Sequence, residues 1–426
     1  LLFGLIIVVS DLWLARRFSW RPMADLAVVG ILLSSSLLGI AMYVWTETLF
    51  ALLALVFLII LERAGKTHTV QQTVVLAVIA ALACLTRYIG VVLIPYYWLL
   101  LLLSEGSRRL KLNRALVFTA ITSAPLALWL ARNYYLSGTL TGNRQGSSLE
   151  INQILGQTAS SLVQWYYRLS DSAIIAYAII IAIVLLIAAF FWLEIRYRKN
   201  ATSIGQRLAG PGFAPYYVLW LMALACVIDF DHIGNRLVSP AFVPLLVLIF
   251  TVLDRLAVGV RSKGFAVRRI VVGLVCVAWL GSISVSTIEM VTLSVQGGAG
   301  GYAAESWQNS ELVNYLRYNP PPGRLYSNGP DVVYLFTGRH TRLSPRKSGP
   351  SLSGERLGLE EFRALVESEG SAHLAWFADM GRPYMYSPKD LSEEFNLQPL
   401  RRVTDGTLYR ALPLSVEEGN LLNESR

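Results

Sequence analysis

The stretch that decides the fold is AIIAYAIIIAIVLLIAAFFWLEIRYRKN, residues 173–200. Its first twenty-one residues carry no charge, and Glu194, Arg196, Arg198 and Lys199 follow at once. An apolar run of that length matches the roughly 20 residues a helix needs to cross the hydrocarbon of a bilayer. The basic cluster behind it reads as a cytoplasmic end. Working outward from this run, centred near Ile181, others are centred near Val8, Leu37, Leu55, Val78, Leu99, Leu126, Leu221, Val247 and Val277, giving about ten spans. The whole chain agrees: 426 residues, 54% hydrophobic, 15% charged, mean hydropathy +0.50. A water-soluble core of that size cannot hide so much apolar surface. The expected fold is mainly α, a polytopic transmembrane helical bundle followed by a small C-terminal α/β domain.

The segments between the runs alternate in charge. One set carries Arg16, Arg17 and Arg21; Arg63 and Lys66; Arg108, Arg109, Lys111 and Arg114; Arg196, Arg198, Lys199 and Arg207; and Arg255, Arg261, Lys263, Arg268 and Arg269, eighteen basic residues. The other carries five: Arg87, Arg132, Arg144, Arg168 and Arg236. By the positive-inside rule the first set is cytoplasmic and the second faces outward. The same parity sends the chain beyond about Thr292 to the outer side.

Residues 1–292 therefore read as the membrane domain. Gln296–Gly301 is a glycine-rich linker. From 303 to 412 the composition turns soluble, with helical periodicity over Ser310–Tyr318, Asp331–Phe336 and Leu359–Ser368 and strands at Arg324–Ser327, His373–Phe377 and Thr407–Ala411. Residues 413–426 read as a flexible tail. The chain opens on Leu1 inside an apolar run, without a methionine or a signal-peptide pattern, so a first span and a first outer loop are expected to precede it.

Cys84, Cys226 and Cys276 all fall in apolar runs, which leaves no disulfide framework or thiolate metal site. His68, His232, His340 and His373 are too scattered for zinc-ligand spacing. The net charge of +9 is carried beside the apolar runs, where it marks topology and gives no reason to expect a nucleic-acid partner.

Four polar constellations share the outer parity. Thr46-Glu47 lies between two runs where a tight turn would suffice, and an acidic residue at a membrane boundary is either a solvated loop end or functional. Arg87-Tyr88 can snorkel to lipid phosphate or clamp a bound phosphate. Arg132-Asn133-Tyr134-Tyr135 and Gly142-Asn143-Arg144 open a long outer loop. Its Gln164-Trp165-Tyr166-Tyr167-Arg168 segment fits an interfacial anchor. Asp229-Phe230-Asp231-His232-Ile233-Gly234-Asn235-Arg236 puts two carboxylates, an imidazole and a guanidinium in eight residues. That set suits sugar hydroxyls, a divalent metal such as Mg or Mn at Asp231, or a phosphate, and equally a solvated turn with a local ion pair. Shared sidedness favours one outward-facing site.

These residues resemble the GT-C membrane glycosyltransferases, the superfamily of protein O-mannosyltransferases and lipid A aminoarabinose transferases. The resemblance is carried by Trp45-Thr46-Glu47-Thr48-Leu49-Phe50, by Ala83-Cys84-Leu85-Thr86-Arg87-Tyr88-Ile89-Gly90 ahead of Pro95, by Ala131-Arg132-Asn133-Tyr134-Tyr135 before Gly138, and by Asn235-Arg236-Leu237-Val238-Ser239-Pro240 before Pro244. It covers about the first 290 residues. It implies transfer of a sugar from a polyprenyl-phosphate donor to a glycan, lipid or protein acceptor at the extracytoplasmic face, with inversion. It also implies a general-base aspartate in a first outer loop, upstream of Leu1. On this resemblance Arg87, Arg132 and Arg236 bind the donor phosphate. Glu47 and Asp229 or Asp231 support catalysis by orienting hydroxyls, and Tyr88, Asn133, Tyr134, Arg144, His232 and Asn235 line the substrate. Two other readings compete: a lipid-linked saccharide flippase, which calls for charges inside several spans, and a non-catalytic membrane assembly protein, for which about ten spans are excessive because one anchors.

Overall fold

The computed structural model describes the chain except residues 44, 65–68, 143–145, 148, 167–172, 197–202, 229–231, 259–264, 348–357, 383 and 415–426. Asp229, Asp231, Arg144, Arg168 and most of the expected tail lie outside the described residues. The rest forms two compact units, a helical one built from Leu1–Thr141 and Gln145–Leu293 and a smaller one from Ser294 onward.

The helical unit contains α1 (Leu2–Arg17), α2 (Arg21–Leu32), α3 (Ser35–Met42), α4 (Thr46–Arg63), α5 (Val70–Thr86), α6 (Leu93–Leu103), α7 (Arg108–Ser137), α8 (Ile151–Gln164), α9 (Ala173–Arg196), α10 (Ile204–Leu208), α11 (Phe213–Ala225), α12 (Asn235–Val238), α13 (Phe242–Val258) and α14 (Phe265–Gly297). Each apolar centre read from the sequence falls in one of these helices. Among the described residues, four helical stretches are long and apolar enough to cross a bilayer: Arg108–Ser137, Ala173–Arg196, Asn235–Ala257 and Ala266–Gly297. The α2–α3 pair, bent by 44° at its break, is a fifth candidate. The others fall short for visible reasons. α4 carries Glu47, Glu62 and Arg63 within its eighteen residues, and α6 is preceded by a 3-10 turn at Tyr88–Val92.

That turn depends on Gly90, where a Cβ would come within 2.7–2.8 Å of the Ala83 carbonyl and the Cys84 nitrogen. The chain can reverse tightly at the end of α5 only because this side chain is missing, and Arg87 is left at the corner. α5 in turn packs along α7, where Thr122 donates to the Ala77 carbonyl at 3.2 Å and Phe118 stacks on Tyr97.

The Asn235–Ala257 stretch is 89% buried and lies at the centre of the unit. α9 has a mean hydropathy of 3.1 yet only 11% of it is buried, leaving Ile174, Tyr177, Ile181, Leu185 and Trp192 exposed. In water such a face would be an aggregation liability; lipid resolves it.

The smaller unit contains α15 (Glu305–Gln308), α16 (Glu311–Tyr318), β1 (Leu325–Ser327), α17 (Pro330–Thr337), β2 (Arg342–Leu343), α18 (Leu359–Glu369), β3 (Ala372–Phe377), α19 (Pro388–Ser392), β4 (Asn396–Val403) and β5 (Gly406–Leu412). Its sheet has the order β2-β1-β3-β5-β4, parallel from β2 to β3 and antiparallel from β3 to β4. Strand alternation divides the core between the two faces. Leu325, Ala375, Phe377 and Leu408 pack with Leu312, Val313 and Val333, while Tyr326, Leu374 and Ala411 pack with Phe362, Val366 and Leu391. Asp405 accepts the Ser310 hydroxyl and the Leu312 amide, tying the turn before β5 to the start of α16.

Two strands escape the sequence reading. β2 is only two residues long. β4 reads Asn-Leu-Gln-Pro-Leu-Arg-Arg-Val, which lacks an alternating apolar face and contains Pro399; it survives as an edge strand with a register shift between Pro399 and Arg401.

Candidate functional site

Glu47 sits in the first turn of α4 and is 3% exposed. A carboxylate buried so deeply needs a countercharge, and it has two. Arg87, from the corner after α5, is ion-paired to Oε1 of Glu47, and Arg236, in α12, reaches the same oxygen through Nε at 2.7 Å. Three chain segments 40 to 189 residues apart are thus pinned at one point, with a formal net charge of +1.

Arg236 is held so that its charge stays presentable. Its closest contact to Glu47 uses Nε, its guanidinium lies 5.3 Å from the centre of the Trp45 ring, and its side chain is 44% exposed. A guanidinium fixed through Nε and steadied on an aromatic face has terminal N–H groups that no other described residue takes, which suits a planar, bidentate oxyanion contact. Trp45 is itself stacked on Tyr43 at 4.7 Å. Glu47, taken in the sequence as a group that orients hydroxyls, has the geometry of a positioning residue for both arginines.

The neighbouring Asn235 is fixed from α8. It donates to the Gln164 side chain at 3.0 Å and accepts from the Trp165 indole at 2.9 Å. The backbone just before it is tied to the same helix, with the Ile233 amide on Gln157 and the Ile233 carbonyl on Ser161. α8 therefore holds the segment that carries Arg236.

A second group begins at Tyr88, the residue after Arg87. Its hydroxyl accepts from Trp129 at 3.1 Å and from the Asn133 side chain at 3.2 Å, and Arg132 lies 5.0 Å from the Trp129 ring centre. The last turn of α7 ends at Gly138, whose φ of 70° suits a residue without a Cβ. Tyr134 and His232 are exposed and, among the described residues, hydrogen-bond to no member of either group.

No family model, curated protein or solved structure matches this chain.

Sequence reasoning brought Glu47, Arg87 and Arg236 to one face but missed their direct pairing, and it missed a whole second charged layer. Glu62, in the last turn of α4, accepts from Arg17 and from the Trp13 indole. Arg17 also donates to Thr251 at 3.2 Å, Asp254 accepts the Ser19 and Trp20 amides, and Glu194 binds Arg207 at 2.6 Å as well as Arg255. Fifteen residues of helix separate Glu47 from Glu62, or about 22 Å. In the sequence, charge alternation alone accounts for these arginines, and their pairing leaves no separate mark. The one available signal was an acidic residue closing an apolar run at Glu62, Glu194 and Asp254. Among the described residues no three metal-ligating side chains gather. A small hollow of about 40 Å3 among Leu61, Tyr97, Ser104, Arg114 and Gln206 belongs to this second layer and not to the Glu47 group.

Proposed function

We propose that the chain is a membrane glycosyltransferase that moves a sugar from a polyprenyl-phosphate carrier to a glycan, lipid or protein acceptor at the extracytoplasmic face, with inversion. The observation that carries this reading is the pair of guanidiniums held on one buried carboxylate, with Arg236 half-exposed. Breaking a bond between an anomeric carbon and a lipid phosphate leaves negative charge on the departing phosphate. Preorganised cations stabilise that charge without rearranging during the reaction. Glu47 supplies the preorganisation; Arg87 and Arg236 supply the donors; Arg132, beside Tyr88 and Asn133, extends the positive surface.

In this reading the helical unit crosses the membrane about ten times, with the Glu47 layer at the outer boundary and the Glu62–Glu194 layer at the cytoplasmic one. The smaller unit then lies outside the cell. The spacing of about 22 Å along α4 is shorter than a hydrocarbon layer of about 30 Å, a mismatch that local thinning of the bilayer and snorkelling of the flanking side chains accommodate. A flippase would call for charges midway along several spans, whereas Glu47, Glu62, Glu194 and Asp254 each lie within about one turn of a helix end.

The test is sugar transfer from a polyprenyl-phosphate hexose by the whole protein in membranes. Arg236→Ala and Arg132→Ala each lose transfer by about 10²-fold or more while inserting normally. Wild-type turnover in either variant removes that arginine from the site.

A further inference from the structure

In the smaller unit, α17 turns Val332 and Val333 into the sheet and leaves Tyr334 and Leu335 outside, 53% and 58% exposed. With Asp331 they recur at the three- and four-residue spacing of one helix face. That face is tied at both ends. At its start Asp331 accepts the Tyr302 hydroxyl and pairs with Arg382 at 3.6 Å. At its finish Tyr334 packs on the His340 ring at 5.2 Å, and Arg317 forks onto the Phe336 carbonyl at 3.1 and 2.9 Å. Arg339, just past the end of the helix, is held on the Pro321 and Gly323 carbonyls. Arg317, Arg339 and Arg382 thus border a face whose exposed side chains are tyrosine and leucine, Tyr302 among them.

The chain path keeps this face near the end of a helix fit to cross a bilayer. α14 is long and apolar enough for that, and Val291, Leu293 and Val295 in its last turns are exposed, as lipid allows and water would not. Tyr302 comes five residues after Gly297, the last of α14, and so at most about 18 Å of extended chain away. The stretch between is not extended. Gly298 bridges Ala304, and a Cβ on Gly298, whose φ is 82°, would stand 2.4 Å from the Ala303 carbonyl oxygen. The glycine-rich linker is a tight reversal, and Tyr302 passes directly from it to α17 through Asp331.

The residue types select what covers the face. Tyrosine beside arginine suits the polar boundary of a bilayer, where the ring lies among the headgroups, the guanidinium meets phosphate and a leucine between them reaches the acyl chains. An anionic headgroup layer favours docking by about fivefold for each arginine near it. A protein partner fits less well. A helix of eight residues is about 12 Å long, too short by itself for the roughly 800 Å2 that a stable partner covers.

We propose that the outward face of α17, together with Tyr302, is a foot by which the smaller unit rests on anionic phospholipid headgroups of the membrane that α14 crosses. Tyr334 and Leu335 enter the headgroup layer, and Arg317, Arg339 and Arg382 meet its phosphates. The claim requires only that the chain spans a bilayer, so it stands or falls apart from sugar transfer.

The test uses the whole protein in lipid nanodiscs, in a Cys226→Ser background that leaves only the buried Cys84 and Cys276. A single NBD fluorophore is attached at Leu335→Cys or, for comparison, at Ala364→Cys, an exposed position on α18, which covers the other face of the sheet. In nanodiscs of phosphatidylglycerol doped with headgroup-spin-labelled lipid, the label at Leu335→Cys is quenched by the lipid several-fold more than the one at Ala364→Cys, and by aqueous iodide several-fold less. Tyr334→Cys repeats the pattern from the neighbouring residue. Exchanging phosphatidylglycerol for phosphatidylcholine, or raising the salt, weakens the lipid quenching at Leu335→Cys by about fivefold or more. Equal lipid quenching at positions 335 and 364 overturns the proposal. Shielding from iodide without quenching by lipid shows that protein covers the face, and overturns it as well. Lipid quenching that is the same in both lipids and at all salt concentrations overturns the assignment to anionic headgroups.

Discussion

Two buried glutamates in the helical unit each hold two arginines, and they differ in how the arginines are held. Glu194, 1% exposed, gives one oxygen to each partner: Oε2 to Arg207 and Oε1 to Arg255. Arg207 also donates to the Glu194 backbone carbonyl at 3.0 Å and is nearly buried. Glu47 instead takes Arg87 and Arg236 on a single oxygen, and Arg236 leans on Trp45 with almost half its surface open. The same three-residue device thus locks helices α9, α10 and α13 together in one place and displays a cation in the other. The number of arginines on a carboxylate says little about function; what remains uncovered on them says more.

Neutralising the carboxylates separates the two roles. Glu194→Gln removes the buried carboxylate that Arg207 and Arg255 share and costs about 3–5 kcal/mol of stability, read as a lowered unfolding temperature in detergent, while transfer per folded molecule is unchanged. Glu47→Gln shows the reverse weighting: a smaller thermal shift, because Arg236 can turn to solvent, and a loss of transfer of about 10²-fold. Equal effects at both sites would show that the two carboxylates do the same work.

A milder change sharpens it. Asn235→Ala removes the tie to Gln164 and Trp165 but leaves Arg236 in place, so transfer falls about tenfold, through a looser donor site and hence mainly in KM. Arg255→Ala in the other trio leaves KM unaltered.

The smallest effect is a control in the other unit. His373, on β3, is buried and pairs in register with Arg410. Burial first, and then the charges of Arg410 and Arg339, hold its imidazole below the ordinary value of 6.5 despite a hydrogen bond to the Pro322 backbone. The unfolded chain binds a proton near pH 6.5 and the folded unit resists it. Stability is therefore level above that pH and declines as pH falls from about 6.5 toward the depressed folded value. Asp390 acts in a lower window. Hydrogen bonds from Lys347 and Ser387 hold it at about 2, so its contribution is present above its ordinary value of 3.8 and lost as pH falls from there toward 2. Amide exchange along β3 follows the first window, and His373→Gln flattens it.

Much of this architecture is legible in the sequence because bilayer and sheet impose strong periodicities. The apolar centres land in helices, and β1, β3 and β5 begin within about two residues of their expected starts. Glu47, Arg87 and Arg236 share a face by charge parity alone, without any knowledge of contacts. Pairing is another matter. Nothing in the spacing of residues 47, 87 and 236 says that two guanidiniums meet on one oxygen, because that depends on the Gly90 reversal and on α8 holding Asn235. The Glu62–Glu194 layer is hidden in the sequence because charge alternation between the apolar runs already offers a reading of the arginines that pair with it. The break at Ser34 was invisible too, since a serine triplet inside an apolar run reads as a tolerated interruption.

The most direct measurement is the affinity of the whole protein in nanodiscs for polyprenyl phosphate, compared between wild type, Arg236→Ala and Arg255→Ala. Arg236→Ala is expected to weaken binding by about tenfold to a hundredfold, the loss of one charge-assisted contact, while Arg255→Ala binds as the wild type does. Equal affinity in all three, or a loss confined to Arg255→Ala, would contradict it.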